Sequence, residues 1–184
     1  DRRIMITGGA GFIGSHLAER LVAQGNDVTV YDGFNDYYNG KCKNLSRLRG
    51  EANFKLVKGD ILDYPYLCKA MTSSEIVFHL AAQPGVRYSL LNPAETNRVN
   101  TTGTLNVLEA AQENGIERLV NASSSSVYGD QVELPIGETA EKKPISIYGA
   151  TKLAAEAIEK SDVIFITVGT PCQDDGRIDL NFIV

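Results

Sequence analysis

Apolar residues along this chain recur in two rhythms, short unbroken runs and longer stretches with a period near 3.6. The runs Ile4–Ile6, Val28–Tyr31, Phe54–Val57, Ile76–Ala81, Arg118–Ala122 and Val163–Val168 read as six strands. They show little in-strand polar alternation, the pattern of strands buried on both faces. Between them, helical spacing predicts a helix over His16–Gly25, where Leu17, Leu21 and Val22 recur. Further helices are predicted over Lys41–Arg49, Tyr66–Met71, Thr101–Asn114 and Gly149–Lys160. In Thr101–Asn114, Leu105, Leu108 and Ala111 form one apolar stripe. Turn residues predict loops over Pro84–Pro93 and Pro135–Pro144. Strands alternating with helices predict an α/β domain built on a doubly wound parallel sheet.

Composition narrows the class. The chain has 184 residues, enough for one domain with a sizeable core, and is 43% hydrophobic and 22% charged. A net charge of −5, with no stripe of basic residues, argues against nucleic-acid binding. No apolar run approaches the roughly 20 residues of a membrane span, so no membrane association is expected. Cys42, Cys68 and Cys172 are too few and too scattered for a disulfide framework or a zinc knot. These features predict a cytoplasmic protein without a metal site. The chain enters its first strand at once, which predicts no secretory signal, and its opening at Asp1 rather than methionine predicts trimming.

The most informative stretch is Thr7-Gly8-Gly9-Ala10-Gly11-Phe12-Ile13-Gly14-Ser15, set between the first strand and the first helix. Gly9, Gly11 and Gly14 fit G-x-G-x-x-G, while Gly8, Gly11 and Gly14 fit the wider G-x-x-G-x-x-G. Early glycines permit the turn, the middle one lets backbone approach a pyrophosphate, and Gly14 lets helix and strand pack closely. The free N–H groups and positive end of the helix would face the phosphates. The second strand ends at Asp32, 21 residues after Gly11, where an acid that binds ribose belongs. The other reading is an ordinary tight turn. The context favours a dinucleotide-binding Rossmann fold, whose ligands bind beyond the carboxyl ends of the strands.

Tyr148-Gly149-Ala150-Thr151-Lys152 places a tyrosine and a lysine four apart, on one helix face. A tyrosine is a poor base at its usual pKa of ~10. A neighbouring ammonium and an oxidised nicotinamide would favour the phenolate. The same spacing also suits an exposed pair on a solvated face. Ser123 to Ser126 follow the fifth strand, where a hydroxyl could bond a substrate oxygen; a polar loop would have the same composition.

These motifs carry a family resemblance. Residues 1–157 resemble the extended short-chain dehydrogenase/reductases, specifically the nucleotide-sugar 4-epimerases. T-G-G-A-G-F-I-G, G-D-I, H-L-A-A, N-x-x-G-T, S-S-S-S-V-Y-G and Y-G-A-T-K occur in the family's order. Asp36-Tyr37-Tyr38 and Gln83 to Pro93 are similar to the UDP-glucuronate and UDP-glucose epimerase branch. The resemblance implies NAD as cofactor, with Gly8, Gly11, Phe12, Ile13 and Gly14 at its pyrophosphate. It implies that Asp32 takes both ribose hydroxyls and disfavours NADP. Asp60 and Ile61 would flank the adenine, and Leu80, Ala81 and Ala82 would lie along the cofactor. Asn100 would support the active-site backbone beside it. Ser124 would bond the sugar's 4-oxygen, Tyr148 would be the base, and Lys152 would hold the nicotinamide ribose. The substrate implied is a UDP-sugar. The resemblance also implies a homodimer joined by a bundle of the Thr101–Asn114 helix and the Tyr148 helix. A sugar 4,6-dehydratase usually carries Asp-Glu before V-Y-G, where this chain has Ser125-Ser126.

Residues 158–184 are instead similar to the UDP-glucose/GDP-mannose 6-dehydrogenases, through Asp162-Val163-Ile164-Phe165-Ile166 and Thr170-Pro171. The expectation is one Rossmann domain over 1–184, its sheet completed by this tail, lacking the family's C-terminal substrate domain. That makes a truncated or fused epimerase one reading, and a non-catalytic NAD-binding module the other.

Overall fold

The computed structural model describes residues 1–37, 39–130 and 135–157, together with the backbone of 163–166. Six strands form one parallel sheet: β1 (Arg3–Thr7), β2 (Asp27–Asp32), β3 (Phe54–Lys58), β4 (Ile76–His79), β5 (Arg118–Ala122) and β6 (Val163–Ile166). Their order is β3-β2-β1-β4-β5-β6, so the chain winds outward in both directions from β1 and β4. That reversal opens a crevice at the carboxyl ends of the two central strands. In register, Ile6 lies between Val30 and Phe78, and Thr7 between Tyr31 and His79.

Alternate strand residues supply two cores, because successive side chains point to opposite faces. On one face Ile4, Ile6, Val28 and Val30 pack with Leu17, Ala18 and Val22 of α1 (Phe12–Ala23). Leu45, at the end of α2 (Lys41–Asn44), and Leu48, in a single 3₁₀ turn, close that layer. On the other face Met5, Tyr31, Val77 and Leu119 meet Leu67 and Met71 of α3 (Tyr64–Met71). Val107, Ala110 and Ala111 of α6 (Gly103–Glu113) complete it.

Three sequence-based expectations need correction. The stretch Pro84–Pro93 is not wholly a loop: it contains α4 (Val86–Leu91). The helix expected from Thr101 begins instead at Pro93, with α5 (Pro93–Asn97) running through a π turn over Arg98–Thr102 into α6. Proline suits a first helical position because its missing N–H would have no intrahelical partner there. The buried stripe of α6 is Gly103, Thr104, Val107, Ala110 and Ala111, whereas Leu105 is exposed and Leu108 half-buried. Small residues bring this helix close to the sheet and turn Leu105 outward.

The last described helix is α7 (Ile147–Ala157). The predicted helix end at 158–160, the strand residues Thr167 and Val168, Cys172, Tyr38 and most of the tail over 158–184 lie outside the described residues. Among the described residues, no helix is long and apolar enough to cross a membrane.

Candidate active site

The crevice at the strand ends is an open cleft of about 710 Å³. One end is the glycine turn. Gly11 precedes α1 without a side-chain cap, and the first turn of α1 carries no acidic residue, so its N–H groups face the cleft uncontested. A Cβ on Gly14 would lie 2.6 Å from the Gly8 carbonyl oxygen and from Gly9 Cα, so helix and turn touch where only hydrogen fits. Gly8, Gly11, Phe12, Ile13 and Gly14 all line the cleft.

Asp32, at the end of β2, is buried. Its Oδ2 accepts from Ala10 N–H at 3.1 Å, and its Oδ1 accepts from Phe34 N–H at 2.8 Å and from Lys41 Nζ at 3.3 Å. Phe34 adopts a left-handed backbone (φ 50°), a strained state that this short bond to Asp32 helps to hold. Asp60, whose Oδ1 accepts from Leu62 N–H at 3.0 Å, lies beside Ile61 on the same wall. Leu80, Ala81 and Ala82 form the floor after β4.

At the other end stand Ser124, Tyr148 and Lys152. Their proximity depends on Gly149: a Cβ there would fall 2.4 Å from Ser126 O, so α7 rests directly on the serine turn after β5. Tyr148 is half-buried and hydrogen-bonds to Ser124. Its phenol is raised above the ordinary tyrosine value, by burial first and then by the nearby Tyr37, with the Ser124 hydrogen bond acting in the opposite direction. Burial thus outweighs the Ser124 hydrogen bond at this phenol. Lys152 is buried and donates to Ala122 O at 2.9 Å. Burial lowers its pKa to about 8, and Glu156, one turn further along α7, offsets part of that loss.

Asn100 does not line the cleft. From the π turn, its Oδ1 accepts from Gln83 N–H at 2.7 Å, while its Nδ2 donates to Gln83 O at 3.1 Å and Thr151 Oγ1 at 3.2 Å. Both its polar atoms hold Gln83, next to the cleft floor, and Nδ2 ties that segment to α7. Beneath it, Thr104 Oγ1 donates to Asn100 O at 2.6 Å and so accepts from His79 Nε2–H at 3.0 Å. Nδ1 of that ring then accepts from Thr7 Oγ1 at 2.7 Å.

Several contributors were not foreseen from sequence. Ser89 of α4 accepts from Tyr148 N–H at 3.1 Å, which fixes the start of α7. Glu156 accepts from Ser123 Oγ and, at 2.6 Å, from Lys142 Nζ. Its i+4 spacing from Lys152 is a readable signal. Lys41 and Asn35 also line the cleft, with no local pattern pointing to the site, as does Tyr37 of the Asp36-Tyr37-Tyr38 stretch.

One cleft thus joins a glycine turn at a helix N-terminus to a Tyr–Lys pair. A family model described as GDP-mannose 4,6 dehydratase matches residues 5–162. The chain belongs to this family of short-chain dehydrogenase/reductases. It is 43% identical over 159 residues to Protein CapI of Staphylococcus aureus, covering 84% of this chain and 47% of that protein. It is 38% identical over 164 residues to the probable UDP-glucuronate 4-epimerase of Rhizobium meliloti, covering 86% and 48%. The structure of UDP-glucuronic acid 4-epimerase from Bacillus cereus, in complex with UDP-glucuronic acid and NAD, matches with a TM-score of 0.79. That likeness is at 34% identity and covers 85% of this chain and 50% of the Bacillus chain. The 184 residues thus span about half the length of these family members.

Proposed function

We propose that this chain is the NAD-binding half of a UDP-sugar 4-epimerase of the UDP-glucose/UDP-glucuronate type. The carrying observation is that Ser124, Tyr148 and Lys152 end the same cleft that begins at the uncapped α1 and Asp32. The chain fits a dinucleotide: glycine backbone and free N–H groups for the pyrophosphate, acceptor oxygens on Asp32 for ribose hydroxyls, and apolar walls at Ile61 and Leu80 to Ala82. Lys152 would hold the nicotinamide ribose. When bound, NAD supplies a reversible hydride acceptor at the sugar carbon.

Ser124 donates to the sugar's 4-oxygen and so orients it. Tyr148 removes the 4-hydroxyl proton on oxidation and returns it on reduction, so its phenol must lose a proton that burial makes it hold. A cationic Lys152, together with the cofactor's charge once bound, would supply the opposing field. Ser125-Ser126 before V-Y-G supports epimerisation over dehydration, in line with the epimerase relatives. The outward Leu105 and free Cys42 and Cys68 support a cytoplasmic homodimer joined through α6 and α7. The tail over 158–184, similar to the 6-dehydrogenases, is proposed to complete the same domain, its strand β6 pairing with β5.

Positioning of the sugar against the cofactor can supply ~7–11 kcal/mol of the barrier. With half of the relatives' length, the 184-residue chain is expected to bind NAD but epimerise slowly. The test incubates the chain with NAD and UDP-glucose or UDP-glucuronate and resolves the 4-epimers chromatographically. NAD binding with trace conversion lost in Tyr148→Phe supports the epimerase reading. Conversion that survives Tyr148→Phe removes the assigned base. NAD binding with no conversion by any preparation favours the alternative, a non-catalytic NAD-binding module.

A further inference from the structure

Asp32 does not meet the cleft as a bare carboxylate. Lys41 Nζ lies 3.3 Å from its Oδ1 and donates also to Asn35 Oδ1 at 2.6 Å. Both charged side chains are nearly enclosed, at 13% and 5% exposure, yet Asp32, Asn35 and Lys41 all line the cleft. An acid placed alone at the end of the second strand would repel the 2′-phosphate of NADP. Here a cation sits within bonding distance of that acid, on the same wall.

We propose that Lys41 is a cofactor-selecting residue whose ammonium offsets the repulsion between Asp32 and a 2′-phosphate, leaving the site NAD-preferring but open to NADP. This rests on the dinucleotide reading of the cleft. The Asp32–Lys41 pair carries no net charge, so a phosphate arriving there meets attraction and repulsion of similar size. Because the pair is largely enclosed, salt screens it weakly. Preference for NAD then comes from hydrogen-bond type: a carboxylate only accepts, and the two ribose hydroxyls donate. Lysine's flexible stem allows the ammonium to leave Asn35 Oδ1 for a phosphate oxygen, a charge-assisted bond stronger than the one to a neutral amide.

The experiment measures NAD and NADP dissociation constants by calorimetry at fixed ionic strength. It compares the unmodified chain with Lys41→Gln, Lys41→Arg, Asp32→Asn and the Asp32→Asn/Lys41→Gln double variant. Within each variant the ratio Kd(NADP)/Kd(NAD) is the readout, so a reduced folded fraction affects both constants alike. Lys41→Gln should raise the ratio about tenfold, the change that corresponds to ~1.4 kcal/mol. Lys41→Arg, which keeps the charge, should stay near the unmodified ratio. Asp32→Asn should lower the ratio, and adding Lys41→Gln should raise it again. A ratio that Lys41→Gln leaves unmoved in both backgrounds overturns the role of Lys41. If the unmodified chain binds neither dinucleotide, the reading of the cleft itself fails.

Discussion

His79 is a fully buried imidazole held between two threonine hydroxyls, where burial disfavours the charged ring. Burial first, and then the Lys152 ammonium, push its pKa down to about 3. In the unfolded chain the ring titrates near ~6.5. Above that pH neither state holds the proton, and the folded protein has its full stability. As pH falls from about 6.5 toward 3, the unfolded state takes up the proton first, so stability declines by up to ~1.4 kcal/mol per pH unit. Between pH 7 and 5 this amounts to about 2 kcal/mol, mostly ahead of carboxylate titration. Urea unfolding at both pH values should show that loss in the unmodified chain and a flatter dependence in His79→Asn. Equal losses in the two proteins would remove His79 as the source.

At the scale of elements, the cleft exists because helices touch backbone at glycine. Gly14→Val places a methyl-bearing carbon where the Gly8 carbonyl oxygen and Gly9 Cα stand, and neither atom is the end of a flexible side chain. The expected outcome is a destabilisation of about 1–3 kcal/mol, the range for overpacking, together with loss of NAD binding. Denaturant midpoints and calorimetry on the same preparation check the two effects. Retained NAD affinity would mean that the turn tolerates displacement and does not cradle the pyrophosphate. Part of this scale was legible in the chain. The six apolar runs, the glycine turn and the Tyr–Lys spacing were visible because each depends on residues near in sequence. The helix α4 and the early start at Pro93 were not, since Pro and Asn there read as turn residues until their places at a helix start are known.

For the whole molecule, association is the open consequence of how α6 is seated. With its small residues against the sheet, α6 presents Leu105 outward at 38% exposure. The homodimer proposed through α6 and α7 would cover that face. Sedimentation at tens of micromolar (roughly, where a weak micromolar dimer forms) should show a dimer. Leu105→Glu should shift the protein toward monomer without lowering its unfolding midpoint by more than a few tenths of a kcal/mol. A monomer in the unmodified chain at that concentration would overturn the dimer.

The sequence by itself determined the parallel α/β sheet, its opening glycine turn and the order of the motifs along the chain. Buried strands, tight turns and one-face helix pairs follow from local periodicity and sterics, which a linear pattern records. Only the tertiary structure decided which charges meet. It brought Lys41 to Asp32 across nine positions, and Lys142 to Glu156 across 14. It moved Asn100 behind the cleft to clamp Gln83 to Thr151. It also set the direction of the Tyr148 shift, because burial and the distances between groups depend on packing, and neighbours along the chain do not specify them.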